Sequence, residues 1–472
     1  MSLVSRLAKN TFYQIVGKFV GVILGLVTIG LMTRYLGPEG FGHYTTIIAF
    51  LQFASVLIDF GLQLTTTQLL AKGEVAEEKI IKNVFTLRLF SAVIFLGLAS
   101  ALAWIFPYPL VVKEGIALAS ILFLFISLQS VIISIFQKNM AMAKVATAEI
   151  INRLVLLLGV WLVVVGQKNL FFIITAIVLG NFVSFLITLV YSQRYLRLGL
   201  AFDLLIWKKI WQATWQLAIT IALTLVYFRA DTIIMSIFRP QSEVGFYGAA
   251  YRVLDILVQF PYMFLGLILP LLTKFFVQDK KIFALIAQKT FDFLSLIIVP
   301  VILATLVLGE KIMIFVAGDD FWLSGQLLKI LVLAAGAIYL GSFFGYIIVA
   351  CELQKKMVKF YLANAVTALI LYLIFIPLYS YWAAAIITVA TEIFIALSAF
   401  GVLRKNIGLS LLTSSCKKSL TASLVMALIL WLLGSQNLIV LIIIGLLVYF
   451  YLLYLLKGID KKTVLEIIKL RG

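Results

Sequence analysis

The chain has 472 residues, 64% of them hydrophobic and only 12% charged, where soluble domains carry about 25% charged residues. That balance excludes both a water-soluble globular protein and a disordered chain, and the formal charge of +18 asks for an anionic setting. Apolar runs of about 20 residues, enough to cross a hydrocarbon core, recur from end to end, so an all-α polytopic membrane protein with no soluble domain is expected.

In chain order the expected spans are 11–32, 43–65, 84–105, 115–136, 147–166, 169–190, 213–238, 245–272, 291–309, 325–349, 358–377, 380–402, 419–434 and 436–456, about fourteen in all. The first apolar segment is too long for a signal peptide and reads as the first permanent helix. Short joins at 106–114, 166–169 and 434–437 fit helical hairpins. Pro261 and Pro300 interrupt the eighth and ninth spans, where a missing backbone donor kinks a helix, and Pro270 is expected to end the eighth.

Lys and Arg concentrate at the N-terminus, in the C-terminal tail and in loops after even-numbered spans, such as Arg194, Arg197, Lys208 and Lys209, or Lys355, Lys356 and Lys359. The alternate loops hold Arg34, Lys113, Lys168, Arg239 and Lys311. Cytoplasmic loops carry the positive charge, so both termini are expected to be cytoplasmic. Topology and anionic headgroups account for the net charge without a nucleic-acid partner.

His43 is the only histidine, and Cys351 and Cys416 the only cysteines. They assemble no metal cluster and no disulfide framework, and the loops show no Ser-His-Asp set or Gly-rich phosphate loop. Neither a metal nor a cofactor is expected. The loop 310–324, with Glu310, Asp319 and Asp320, is the one modest acidic stretch on the outward side. A catalytic role therefore has little to stand on.

An internal repeat divides the chain. "RYLGPEGFGHYTTI", Arg34 to Ile47, leads from the first span into the second, and "IFRPQSEVGFYGAAY", Ile237 to Tyr251, from the seventh into the eighth. With Gly42-His43-Tyr44 set on Gly245-Phe246-Tyr247, both carry a proline, an acidic residue and a G-x-Y at the next helix start. The offset equals six spans, giving six-helix halves at 1–200 and 201–405, with two helices and a tail at 406–472 added.

The N-terminal "NTFYQIVGKFVGVILGLVTIGLMTRYLGPEGFGHY", the block "RADTIIMSIFRPQSEVGFYGAAYRVLDIL" and the segment "YWAAAIITVATEIFIAL" resemble the polysaccharide biosynthesis proteins known as O-antigen or Wzx-type flippases, of the multidrug/oligosaccharidyl-lipid/polysaccharide exporter superfamily. The resemblance implies two pseudo-symmetric six-helix bundles around a central cavity, alternating access, and a polyprenyl-pyrophosphate-linked oligosaccharide as cargo. It also implies the bacterial cytoplasmic (inner) membrane as location and polysaccharide polymerase machinery as a partner. The family has no fixed substrate signature, so the site rests on the residues themselves.

Charges inside apolar spans are costly and usually functional. Around a turn centred near 241–242, Asp231 falls level with Arg252 and Arg229 with Asp255, roughly 10 Å or more below the surface at 1.5 Å per residue. Two ion pairs locking the seventh and eighth spans are one reading. An arginine facing the cavity to meet the pyrophosphate, for which a planar guanidinium is suited, is the other. In the first hairpin Lys18 and Asp59 fall level, with Lys18 either a cargo contact or snorkelling. Gly17, Gly21 and Gly25 read as a close-packing helix face. Glu149 and Arg153, at i, i+4, are expected to neutralise each other. Glu392 is a lone carboxyl in the twelfth span, with Asn364 the nearest polar candidate, and could carry a proton or bind a cation for coupling. Tyr13, Gln14, Asn181, Gln216, Tyr227, Tyr247 and Gln259 could line a sugar path. Besides the flippase, a cation-coupled multidrug or metabolite exporter of the same superfamily, with an acidic cavity, and an integral-membrane glycan-assembly enzyme stay open.

Overall fold

A backbone immersed in lipid has to satisfy its own hydrogen bonds, so apolar stretches of this length fold as helices. The computed structural model describes residues 3–457 apart from 60, 63, 64, 67, 68, 71–75, 140 and 197, and side chains apart also from 3–16, 19, 213 and 215–228. Among the described residues it is all-helical: α1 (Leu3–Asp59), α2 (Glu77–Leu102), α3 (Leu110–Lys138), α4 (Met142–Val165), α5 (Leu170–Ser192), α6 (Leu204–Phe238), α7 (Gln241–Gln278), α8 (Lys280–Ala317), a 3-10 turn (Asp319–Phe321), α9 (Trp322–Ala350), α10 (Gln354–Ile407), α11 (Ser414–Leu432) and α12 (Leu438–Leu455). Eleven of the helices described are long and apolar enough to cross a membrane.

Two helices are broken inside. In α1 the break is at Gly37 (φ 63°), directly before Pro38, where only glycine takes the positive φ without strain and the proline starts the next segment. In α10 it is at Ser380 (φ 53°), a left-handed conformation costly for a residue with a side chain. Both fall where joins between spans were expected. Pro270, by contrast, does not end its helix: α7 runs through Pro261 and Pro270 to Gln278. Aspartates start two other helices, Asp203 accepting from the amides of Leu205 and Ile206, and Asp279 from those of Lys281 and Ile282. Asn437 does the same for α12 through the Ile439 amide.

The chain forms two compact units, residues 1–248 with 376–380, and 249–375 with 381–472. In the first, α1 packs along α4, and α5 lies against both α3 and α4. Apolar side chains of α2, α3 and α6, among them Ile81, Val84, Val131 and Ile210, form a buried cluster. Small residues set the helix distances, as in lipid where van der Waals fit rather than water exclusion drives association: a Cβ on Gly159 would come within 2.7 Å of Ala176, and one on Gly115 within 2.3 Å of Ile47. In the second unit α8 packs on α9 and on α11, and Leu308, Met426, Leu430, Leu441 and Tyr449 close a core between α8, α11 and α12. The Tyr449 hydroxyl donates to the Leu296 carbonyl at 2.7 Å. The opposite face of α12, with Ile443, Leu446, Leu447 and Phe450, is exposed apolar surface.

Candidate functional site

The repeat seen in sequence becomes a contact in the first unit. A Cβ on Gly42 would lie 1.7 Å from the Gln241 carbonyl oxygen, and one on Gly245 would lie 1.9 Å from the Pro38 carbonyl oxygen. The alignment that sets Gly42 on Gly245 also sets Pro38 on Gln241, so the two contacts are copies of one another. It further sets Thr45 on Gly248, and these equivalent positions meet each other, with a Gly248 Cβ 2.5 Å from the Thr45 hydroxyl. The contact is thus locally two-fold. Thr46 donates to the Gln241 side chain at 2.7 Å, and Tyr108 and Ser236 share a hydrogen bond of 2.9 Å.

Beside it, Arg239 grips Glu243 through two bonds of 2.7 and 2.9 Å. Glu243 also accepts from the Ser380 hydroxyl, and Arg239 reaches the Pro377 carbonyl at 3.5 Å. The strained residue at the break of α10 is held by this arginine–glutamate pair.

Asp231 is fully buried in the first unit. Its carboxyl accepts from the Tyr247 hydroxyl at 2.5 Å and from the Thr232 amide and hydroxyl at 2.5 and 3.1 Å, and Arg229, half-buried, adds an electrostatic contact. Tyr247 is therefore occupied in holding Asp231. In the second unit Arg252 and Asp255 approach at 3.9 Å across i, i+3, a loose pair with both side chains about three-quarters covered.

Near the other end of the first hairpin, Asp59 is partnered by Arg88 of α2. Arg88 is 2% exposed and also donates to the Ser127 carbonyl at 2.9 Å and to the Ser130 hydroxyl. Sequence reasoning passed over Arg88, although an arginine five residues into the span expected at 84–105 was the available signal. Lys18 is exposed. Glu149 and Arg153 form no ion pair with each other, so the i, i+4 neutralisation expected for them is absent. Of the Gly17, Gly21 and Gly25 series, a Cβ on Gly17 would meet Ala146 at 2.9 Å and one on Gly25 Arg153 at 3.7 Å, while one on Gly21 would meet no described atom within 4 Å.

Glu392 lies in the second unit, 7% exposed, and forms no ion pair among the described residues. Tyr262 and Tyr361 are within electrostatic reach of its carboxyl, and Tyr262 hydrogen-bonds Ser342. Asn364 is 3% exposed, with Nδ2 lacking a partner. Of the residues considered for a sugar path, Asn181 is engaged by Asn152 at 3.3 Å and by the Ile177 carbonyl, Gln259 is exposed, and the side chains of Tyr13, Gln14, Gln216 and Tyr227 lie outside the described residues. Glu310 is taken up by Lys329 at 2.6 Å. Among the described residues no group of three or more His, Cys, Asp or Glu could hold a metal ion.

Comparison with known proteins gives the family. The sequence pattern of the polysaccharide biosynthesis protein family matches residues 7–276. The "Putative O-antigen transporter" of Escherichia coli (strain K12) is 29% identical over 90 residues, 19% of this chain and 21% of that protein, so the match spans about a fifth of the relative's length. Among solved structures, lipid II flippase MurJ in an inward closed conformation superposes with a TM-score of 0.78 at 15% identity, over 93% of this chain and 97% of its own. An inward-facing multidrug resistance MATE family transporter of the MOP superfamily gives 0.65 at 12% identity, over 82% and 94%, and a MOP superfamily transporter from Pyrococcus furiosus gives 0.58 at 13%, over 86% and 96%. At these identities the structures show a shared fold. With the family pattern covering more than half of its length, and with a fold shared with these flippase and transporter structures, the chain belongs to the polysaccharide biosynthesis protein family.

Proposed function

We propose that this transporter moves a polyprenyl-pyrophosphate-linked oligosaccharide from the cytoplasmic to the outer leaflet of the bacterial inner membrane by alternating access, for export of O-antigen, capsule or exopolysaccharide, and that it is not an enzyme. The observation that carries the reading is the sign of the charge at membrane depth. Lys18, Arg229 and Arg252 lie within apolar helices, Arg229 beside Asp231 and Arg252 beside Asp255, so cationic side chains are carried along the spans. An exporter of organic cations needs the opposite sign. That second reading is favoured by the likeness to MATE transporters, and it is separated from the first by cargo alone.

Both termini are then cytoplasmic, as the Lys and Arg bias of the loops implies, and 1–200 and 201–405 act as repeated halves with 406–472 appended. Asp231, Asp255 and Asp59 keep basic neighbours charged and oriented, and Glu392 takes up the coupling proton or cation, since a carboxyl buried without a partner is charged only at high cost. Polymerase machinery is the expected recipient of the flipped cargo. The test is transbilayer movement of a polyprenyl-pyrophosphate oligosaccharide in liposomes carrying the purified protein, with Arg229→Ala and Arg252→Ala alongside. Movement that needs the protein and falls in a folded variant supports the reading. Export of an organic cation with no movement of any lipid-linked glycan overturns it.

A further inference from the structure

Arg153 sits at the middle of α4 (Met142–Val165), at the centre of the hydrocarbon layer if that helix spans it evenly. No acid meets it: among the described residues it takes part in no ion pair, and Glu149, one turn earlier on the same helix, does not reach it. Its Nε is buried without a hydrogen-bond partner. A guanidinium left this way is a charge awaiting a counter-charge, because an isolated cation out of water is expensive.

The guanidinium crosses to α1, where a Cβ on Gly25 would lie 3.7 Å from Nη1. One turn earlier, Gly21 is buried, yet a Cβ there would meet no described atom within 4 Å. A turn earlier again, Gly17 is in tight contact with Ala146. Among the described residues α1 touches α4 at Gly17, and no described side chain occupies the position beside Gly21, on the same side as Arg153. Lys18, Gly21 and Gly25 follow at i, i+3 and i+7 and so share a face of α1. Lys18 is exposed and about 10 Å along the axis from Gly25. A cation thus stands at each end of a stretch walled by bare backbone.

We propose that Arg153 is an anion-binding residue that takes a phosphate oxygen of the isoprenoid-pyrophosphate headgroup beside the Gly21–Gly25 face, with Lys18 at its cytoplasmic end. The assignment rests on the flippase reading and names a residue within it. Glu149 is the carboxyl one turn from this position, and its charge opposes the bound anion.

The test is binding to purified protein in nanodiscs of neutral lipid, with four probes: polyprenyl pyrophosphate, the corresponding polyprenol, free pyrophosphate and phosphatidylglycerol. A charge-assisted bond is worth about 1.5–3 kcal/mol, so Arg153→Gln should weaken polyprenyl pyrophosphate roughly 10- to 150-fold, with Arg153→Lys keeping part of the affinity. Gly21→Leu fills the space while leaving the guanidinium in place, and should weaken the same probe at unchanged melting temperature. Glu149→Gln should tighten it. If Arg153→Gln does not fold, Gly21→Leu and Glu149→Gln decide. Wild-type binding that none of these variants alters overturns the assignment to Arg153 while leaving the flippase standing. Equal affinity for free pyrophosphate or phosphatidylglycerol overturns the headgroup, and failure of the wild type to bind polyprenyl pyrophosphate overturns both readings.

Discussion

Replacing Gly42 or Gly245 by alanine should separate the two hairpin ends that meet in the first unit. A methyl at 42 would sit 1.7 Å from the Gln241 oxygen, and one at 245 would sit 1.9 Å from the Pro38 oxygen. Carbon and oxygen need more than 3 Å, so the backbones must part by more than ~1 Å to restore contact distance. Both obstacles are main-chain carbonyls, which cannot swing aside as a side chain would. Helix propensity favours alanine over glycine by about 1 kcal/mol, so the expected loss of about 1–3 kcal/mol from overpacking must outweigh it. Gly97, whose Cβ would meet nothing within 4 Å, is the control, and Gly97→Ala should show no loss. Because one separation relieves both clashes, the double variant should cost clearly less than the sum of the singles. Thermal unfolding in a mild detergent measures this cycle, and cross-linking between cysteines placed near 38 and 245 should slow in parallel. Strict additivity within about 0.5 kcal/mol, the behaviour of independent sites, would refute the shared contact, as would an unchanged melting temperature. At the end proposed to face outward, looser closure should also raise the accessibility of Tyr108 and Ser236, whose hydrogen bond spans the same region.

Asp59→Ala should destabilise by about 3 kcal/mol or more, since it strands the buried Arg88 without its counter-charge; a melting temperature equal to wild type would refute the role given to that pair. Asp203 caps α6 and pairs with Lys79 at 2.6 Å, and the Lys79 ammonium, followed by the Ile206 amide, holds its carboxyl below the usual aspartate range. A lowered native pKa contributes stability that is complete above the ordinary aspartate value and is lost as pH falls through the native one, so acid should destabilise wild type more steeply than Asp203→Asn, and identical acid limbs would count against the pairing. Glu392→Gln should leave the protein as stable as wild type or more so, while removing the dependence of flipping on a proton or cation gradient, read in liposomes with and without the gradient. Retention of that dependence would exclude Glu392 from coupling.

Most of the helical order was legible because lipid leaves a backbone few alternatives: the breaks at Gly37 and Ser380 and the turns at 166–169 and 433–437 all fall at expected joins. The repeat was legible through Gly42 and Gly245, residues whose identity is dictated by backbone approach. The i, i+3 pair Arg252–Asp255 was legible too, but several other side-chain partners were not. Counting depth from a turn treats helices as straight rods and considers only charges, so it offered Arg252 to Asp231 and missed Tyr247, whose ring carries a hydroxyl further than any depth count allows. Spacing of i, i+4 permits Glu149 and Arg153 to meet but does not fix their rotamers, and Arg153 turned towards the glycines of α1. Arg88 was hidden by its position near the end of a span, where a basic residue looks like an anchor at the headgroups.

The reciprocal contact ties four backbone positions into one fit. Each hairpin end offers a carbonyl to the glycine of the other and a glycine to its carbonyl, so the surface is complementary to a copy of itself, as in a two-fold dimer interface. A bulkier residue at 42 presses first on 241 and, by parting the two backbones, also loosens the contact of its counterpart at 245 with 38.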